Sequence, residues 1–231
     1  MSKGTIKNRD SFLENIAERL GRSTLETVDR SPRQYHPERR VYQGCNHDDL
    51  LSIFKKASAS VHTEVFETDV STLNKTIQDV VNHFGGGPVV TWDDPRFKEY
   101  GVNLDSNDIH VWDLSHGKEN IDKAEQANVG ITFSDVTLAE SGTVILFNDK
   151  YKARAVSLLP RNFIAIVPKS SIVPRMTQAA CSIHERIKAG KDIATCINFI
   201  SGPSNSGDIE MNLVQGVHGP VNASYIIVID R

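Results

Sequence analysis

Two stretches of this chain concentrate side chains that can hold an anion or move a proton. In the first, Glu140-Ser141-Gly142-Thr143 forms a corner between two extended segments, so an acid, two hydroxyls and a glycine share one turn. Such a turn can present N–H and hydroxyl donors to a carboxylate, with Glu140 available for acid–base or nucleophilic work. A plain hairpin or bulge, with Gly142 at positive φ, accounts for the same residues. The second stretch runs from Asn198 to Glu210: an apolar run gives way to Ser201, Gly202, Ser204, Ser206 and Gly207, after which Ile209 and Leu213 are spaced to open a short helix. Strand, small-residue loop and helix N-terminus is the order of an anion cradle. N-capping by Ser206 or Asp208 explains these residues without a ligand. Just beyond, Gly216 and Gly219 bracket His218 on bent backbone, which suits proton transfer or an anionic oxygen, or makes it an ordinary loop histidine.

Other eye-catching groups reduce to structure. Gly85-Gly86-Gly87-Pro88 follows a helical pattern and precedes a strand, the reverse of a phosphate loop, and reads as a C-cap and turn. Trp92-Asp93-Asp94-Pro95 reads as a helix start, with Asp94 as cap and Pro95 in the first turn. It would still lie at a strand's C-terminal end, where ligands bind in open α/β sheets. The eight histidines do not cluster, and neither the His110–His116 pair nor Cys45-Asn46-His47 completes a metal set. No metal is expected. Cys45, Cys181 and Cys196 are widely separated, without a Cys-x-x-Cys, which argues against a secreted disulfide framework and against an iron–sulfur cluster held by this chain.

Periodicity supplies the elements that must position these residues. Residues 10–21 read as an amphipathic helix capped by Asp10 or Ser11 and ended by Gly21. Residues 22–47 are polar, with Pro32, Pro37, Arg33, Arg39 and Arg40, and read as a linker. The division expected is therefore 1–47 as helix and linker and 48–231 as an α/β domain. An arm exposing Phe12 and Leu13 would dock, most simply on a second copy of the chain, or else pack on its own domain. Helical patterns at 48–59, 73–84 and 176–187 alternate with apolar runs at 88–92, 109–112, 129–133, 144–147, 163–167 and 225–229. Val/Ile-rich strands separated by helices indicate a mainly parallel sheet flanked by helices. A formal charge of −3 and a pI near 6.2 offer no electrostatic basis for nucleic-acid binding. No run approaches the roughly 20 apolar residues that span a bilayer, and the first residues lack a secretory pattern, so a cytoplasmic location is expected.

Taken together, Ala139-Glu140-Ser141-Gly142-Thr143, Leu159-Pro160-Arg161, Ser201-Gly202-Pro203-Ser204, Asp208-Ile209-Glu210 and Gly216-Val217-His218-Gly219-Pro220 resemble the signature of the LUD domain family of bacterial lactate utilization proteins. The family's corner more often begins Glu-Thr, and Ser206 stands where a threonine is frequent. The resemblance implies a fold like that of the CoA-transferases and ribose-5-phosphate isomerase. It implies a subunit of a system that oxidises L-lactate to pyruvate, an L-lactate dehydrogenase complex in which partner iron–sulfur proteins carry the electrons and this chain binds no cofactor. Glu140 then resembles the nucleophilic glutamate of CoA-transferases, and His218 becomes the proton acceptor for a hydroxy acid. Gly142, Thr143, Ser201, Gly202, Ser204, Ser206, Asp208 and Gly219 would line a site for a small anionic substrate such as lactate. Two other readings stay open: a stand-alone CoA-transferase-like or cyclo-ligase-like enzyme acting on a phosphate-containing substrate, and a non-catalytic assembly protein.

Overall fold

The structure, a computed structural model, describes residues 5–22, 31, 34–104 and 108–230, and Pro32 and Arg33 lie outside them. The chain divides into two compact units, Met1–Pro37 and Glu38–Arg231. The first holds helix α1 (Arg9–Arg19), entered through Asn8 in the left-handed conformation. Asp10 and Ser11 are therefore not caps; they lie in the first turn, where the Ser11 hydroxyl donates to the Asn8 carbonyl at 3.2 Å. The helix ends as expected: Gly21 N–H bonds to Glu18 and Arg22 N–H to Ala17, which satisfies the last carbonyls.

In the second unit the chain runs α2 (His47–Ser60), β1 (Glu64–Asp69), α3 (Leu73–His83), β2 (Val89–Trp92), α4 (Pro95–Glu99), β3 (Ile109–Trp112), α5 (Glu119–Gln126) and β4 (Val129–Phe133). It continues through β5 (Val136–Leu138), β6 (Thr143–Asn148), α6 (Ala155–Leu158), β7 (Asn162–Pro168), β8 (Ile172–Val173) and α7 (Met176–Lys188). The last elements are β9 (Cys196–Ile200), β10 (Asn205–Ile209), β11 (Asn212–Gln215) and β12 (Asn222–Ile229). This unit begins ahead of the boundary drawn at residue 47, because Tyr42 and Cys45 already pack on its core. Asn46 then starts α2 through a capping box with Asp49.

Among the described residues, a six-stranded sheet in the order β1-β12-β7-β4-β2-β3 has every neighbouring pair parallel. Its buried strands alternate between two cores. Phe163, Ala165, Val167, Tyr225 and Ile227 face α2, α5 and α6, whereas Ile164, Ile166, Ile226 and Val228 face α3 and α4. A second sheet, β8-β5-β6-β9, is mixed and lies on the first face: Val144 and Leu146 enter that core, and Ile145 packs with Ala179 of α7 on the other side. The corner at 139–142 is thus a hairpin loop between β5 and β6.

The helix expected to open at Ile209 does not form. Residues 205–215 make the antiparallel β10–β11 hairpin, turning through Glu210 and Met211 with φ of 52° and 58°. That is the geometry of a two-residue primed turn, usually signalled by Asn-Gly, and its absence from the sequence concealed the hairpin. Backbone N–H groups that a helix N-terminus would leave open enter a strand ladder instead.

Tyr225 fastens the second sheet to the first. Its wholly buried hydroxyl accepts from Gly202 N–H at 3.1 Å and lies 3.1 Å from the Gly142 carbonyl and 3.2 Å from that of Ile200, either of which can take its proton. Its ring stacks on Phe54 of α2 at 5.4 Å, and burial pushes the phenol pKa up to about 12. Gly142 and Gly202 are glycines for want of space: a Cβ would stand 2.8 Å from the Ser58 nitrogen and 2.2 Å from the Val61 carbonyl oxygen, respectively. We expect Tyr225→Phe to cost about 1–3 kcal/mol, the usual penalty for a buried donor left unpaired. At about 2–4 °C per kcal/mol for a unit of this size, thermal melting will resolve it. Gly202→Ala should lower the melting temperature further, and an unchanged melt would refute the close approach.

Candidate functional site

The order of the parallel strands locates the crevice. From β2 the chain moves outward through α4 to the edge strand β3, whereas from β4 it moves the other way to β7. Adjacent strands whose connections leave in opposite directions form a topological switch point, and their C-terminal ends frame the usual ligand crevice of an open α/β sheet. Asp94 follows β2 there, and Ser134-Asp135 follows β4.

Asp94 is a cap, as expected, accepting from Arg96 N–H at 3.0 Å with Pro95 in the first turn of α4. It is also the buried anion of a charge cluster. Its side chain is 1% exposed and meets Arg96 Nη2 at 2.7 Å and Lys152 Nζ at 2.6 Å. Arg96 reaches on to Asp135 Oδ1 at 2.8 Å and the Ser134 carbonyl at 2.8 Å, and lies over the Phe133 ring. Burial would raise the Asp94 pKa, but the hydrogen bonds and charge of Arg96, with Lys152, outweigh it and hold the carboxyl well below the usual carboxylate range. Asp135 bridges the sheets: its N–H donates to the Ile145 carbonyl, and its Oδ2 accepts from Phe147 N–H at 2.7 Å. Two carboxylates and two cations balance. Residue order could not reveal this partnership, because Lys152 and Asp135 lie 58 and 39 positions from Asp94 and Arg96, respectively.

Beside the cluster a cleft of about 350 Å³ opens between β6, α7 and the segment after α7, with Asp135, Asp149, Lys152, Arg186, Ile183 and Ile197 among its lining residues. Arg186 stacks on Phe147 with its guanidinium carbon 5.5 Å from the ring centroid. None of these cleft residues was singled out from the sequence. The signal available was positional: Trp92-Asp93-Asp94 lies at a strand's C-terminal end.

The residues drawn from the glycine turns fall into two groups. In one, Thr143 Oγ1 lies 2.6 Å from both Ser141 Oγ and Ser201 Oγ, next to the Tyr225 junction that holds Gly142 and Gly202. Glu140 points outward and pairs with Arg175 at 2.7 Å. In the other, Ser204 ties down the last loop: its N–H donates to Pro220, its carbonyl accepts from Gly216 N–H, and its hydroxyl accepts from His218 N–H at 3.3 Å. Gly219 packs against Ser204, a Cβ there standing 3.3 Å from the serine Cβ. Ser206 Oγ and Asp208 Oδ2 meet at 3.3 Å within β10. The N–H groups of Gly202, Ser204, Gly216 and His218 therefore already have protein acceptors. The imagined cradle at a helix N-terminus is not there, although Glu140 and His218 are exposed. Elsewhere, Asn46 and Asp113 cap local turns, and among the described residues no three His, Cys, Asp or Glu side chains are placed to share a metal.

The family model described as LUD domain matches residues 51–228. Over 240 aligned residues the chain is 55% identical to a protein of Geobacillus sp. (strain WCH70) and 51% identical to one of Bacillus subtilis (strain 168), both named Lactate utilization protein C, with each chain fully covered. A protein of that name from Macrococcus caseolyticus (strain JCSC5402) is 49% identical over 231 residues, again with full coverage. Among solved structures, a DUF162 family protein from Deinococcus radiodurans superposes with a TM-score of 0.57 at 17% identity, covering 80% of this chain and 99% of that one, a likeness of fold.

Asp94→Asn should remove the anion and leave Arg96 and Lys152 facing one another, at a cost of about 3–5 kcal/mol at neutral pH. Because the folded-state pKa is depressed, the stability contributed by Asp94 is fully present above the unfolded value near 3.9 and disappears as pH falls toward the lower folded value. Urea denaturation from pH 6 to pH 2 should show a shallower acid loss for the variant than for the wild type. Parallel curves would show that Asp94 is not the compensated anion.

Proposed function

The chain belongs to the LUD domain family, and on that premise we propose that it acts in lactate utilization, as a cytoplasmic subunit of a system that oxidises L-lactate to pyruvate. The observation that carries this reading is full-length similarity, at about half identity, to proteins named Lactate utilization protein C from several bacterial genera. Converting a hydroxy acid to a keto acid removes two electrons and two protons. Three scattered cysteines do not supply the thiolate set of an iron–sulfur cluster, and no Gly-x-Gly-x-x-Gly turn follows a strand. We therefore assign electron acceptance to partner proteins bearing iron–sulfur clusters, and substrate binding and assembly to this chain. The exposed Glu140 and His218 are the side chains we assign to carrying protons onward, at positions open to a partner protein.

The test is to purify the chain alone and together with iron–sulfur proteins that accompany it, and to follow reduction of a redox dye by L-lactate. Reduction is expected only from the assembly, and a Glu140→Ala, His218→Ala double variant should lower it by roughly 100-fold. Dye reduction by the isolated chain would refute the dependence on partners. Undiminished growth on L-lactate after deletion of the gene would refute the functional reading.

A further inference from the structure

We propose that the cleft between β6 and α7 is a binding site for a small α-hydroxy carboxylate, held by Lys152 and Arg186 with Asp149 as hydroxyl acceptor. This deepens the functional reading above and rests on it for the identity of the acid. The argument begins with which polar groups still have capacity. At the sheet junction, Arg96 and Lys152 together balance Asp94 and Asp135, and Arg96 has its Nε, Nη1 and Nη2 all engaged. Lys152 is different: an ammonium has three donors, one goes to Asp94 Oδ2, and the side chain, 22% exposed, lines the cleft. Arg186 also lines the cleft and, among the described residues, has no carboxylate partner; its contact is the face of Phe147. Lys152, from the turn after β6, and Arg186, from α7, thus both bring N–H donors that an anionic oxygen can take to one cavity.

The remaining lining narrows the class. Asp149 uses Oδ1 to fix the 149–152 turn, accepting from the N–H groups of Tyr151 and Lys152 at 2.8 and 2.9 Å, and among the described residues Oδ2 meets no donor. Asp192 adds a second acid to the lining. A phosphate dianion carries twice the charge of a monocarboxylate and is repelled more strongly by the Asp135, Asp149 and Asp192 carboxylates of the lining. A monocarboxylate bearing a neighbouring hydroxyl uses both signs of charge: its carboxylate meets Lys152 and Arg186, and its O–H donates to Asp149. Ile183, Ile197 and the Phe147 ring offer apolar surface to a short alkyl substituent. The cavity of about 350 Å³ exceeds a three-carbon acid, and the balance is room for ordered water, each molecule occupying about 30 Å³. The position is independent support, since the cleft adjoins the switch point where such sheets bind ligands.

Calorimetric titration of the full chain with L-lactate, propionate and inorganic phosphate tests the site. L-lactate should bind saturably, and Arg186→Gln should weaken it by about tenfold or more, as expected for loss of one charge-assisted hydrogen bond, while the variant still unfolds in one cooperative transition. Propionate, which lacks the hydroxyl, should bind several-fold more weakly than L-lactate in the wild type, and Asp149→Asn should shrink that difference. No saturable L-lactate binding, wild-type affinity in Arg186→Gln, or phosphate binding more tightly than L-lactate would each overturn the assignment. Failure of binding while the gene is still needed for growth on L-lactate sinks the cleft alone. Binding as described, with the gene dispensable for that growth, sinks the functional reading and leaves the site standing.

Discussion

A carboxylate taken out of water must be compensated or it will destabilise the fold, and Asp94 is placed where that requirement binds distant parts of the chain together. Arg96 returns from the first turn of α4, Lys152 arrives from the turn after β6, and Asp135 completes the arrangement from the link between the two sheets. Moving any of these segments would leave a charge buried and unpaired. The ion cluster therefore specifies how the β5–β6 hairpin leaves the parallel sheet, and through Lys152 it sets one wall of the cleft. Its contribution lies in geometry more than in net stability, since buried ion pairs gain little over apolar packing.

At the opposite end of the sheet a chain of neutral groups links the strand starts. Asn222 donates to Asn162, Asn162 to Asn128, and Asn128 to the carbonyls of Phe84 and Gly86, a chain of amides across the strand N-termini. Carboxamides satisfy the orphaned backbone without introducing charge. The two ends of the sheet thus differ in kind: amides link the strand starts at one, and compensated charges beside a cleft occupy the other. That polarity agrees with the general tendency of open α/β sheets to carry their chemistry at strand C-termini.

A distinction between used and available donors also reorganises the glycine-rich turns. Their N–H groups look suited to an anion in sequence, yet the tertiary structure commits those of Gly202, Ser204, Gly216 and His218 to Tyr225, Pro220 and Ser204. They act as joints that hold the β-hairpins against the parallel sheet, and the absence of a side chain at Gly142 and Gly202 lets backbone pass backbone at contact distance. Recognisable motifs can mark where a fold must be tightly packed as well as where it binds.

Much of the architecture was legible because it is local. The apolar runs at 129–133, 163–167 and 225–229 are continuous since both faces of their strands are buried, and the repeats in α2, α3 and α7 have helical spacing because one face of each is covered. The Gly85-Gly86-Gly87 turn and the Asp94 cap could be read for the same reason, depending on neighbours a few positions away. The β10–β11 hairpin could not, since Glu210-Met211 carries none of the usual turn chemistry and the pairing of 205–215 answers to its surroundings. Nor could the compensation of Asp94 or the convergence of Lys152 and Arg186 on one cavity, which join residues dozens of positions apart. By itself the sequence determined most helices and the long buried strands, the parallel α/β class and the family, all set by periodicity and short motifs. Which polar groups are exhausted and which still have a free valence was decided only when folding brought distant charges together, because hydrogen-bond capacity is settled by neighbours in space.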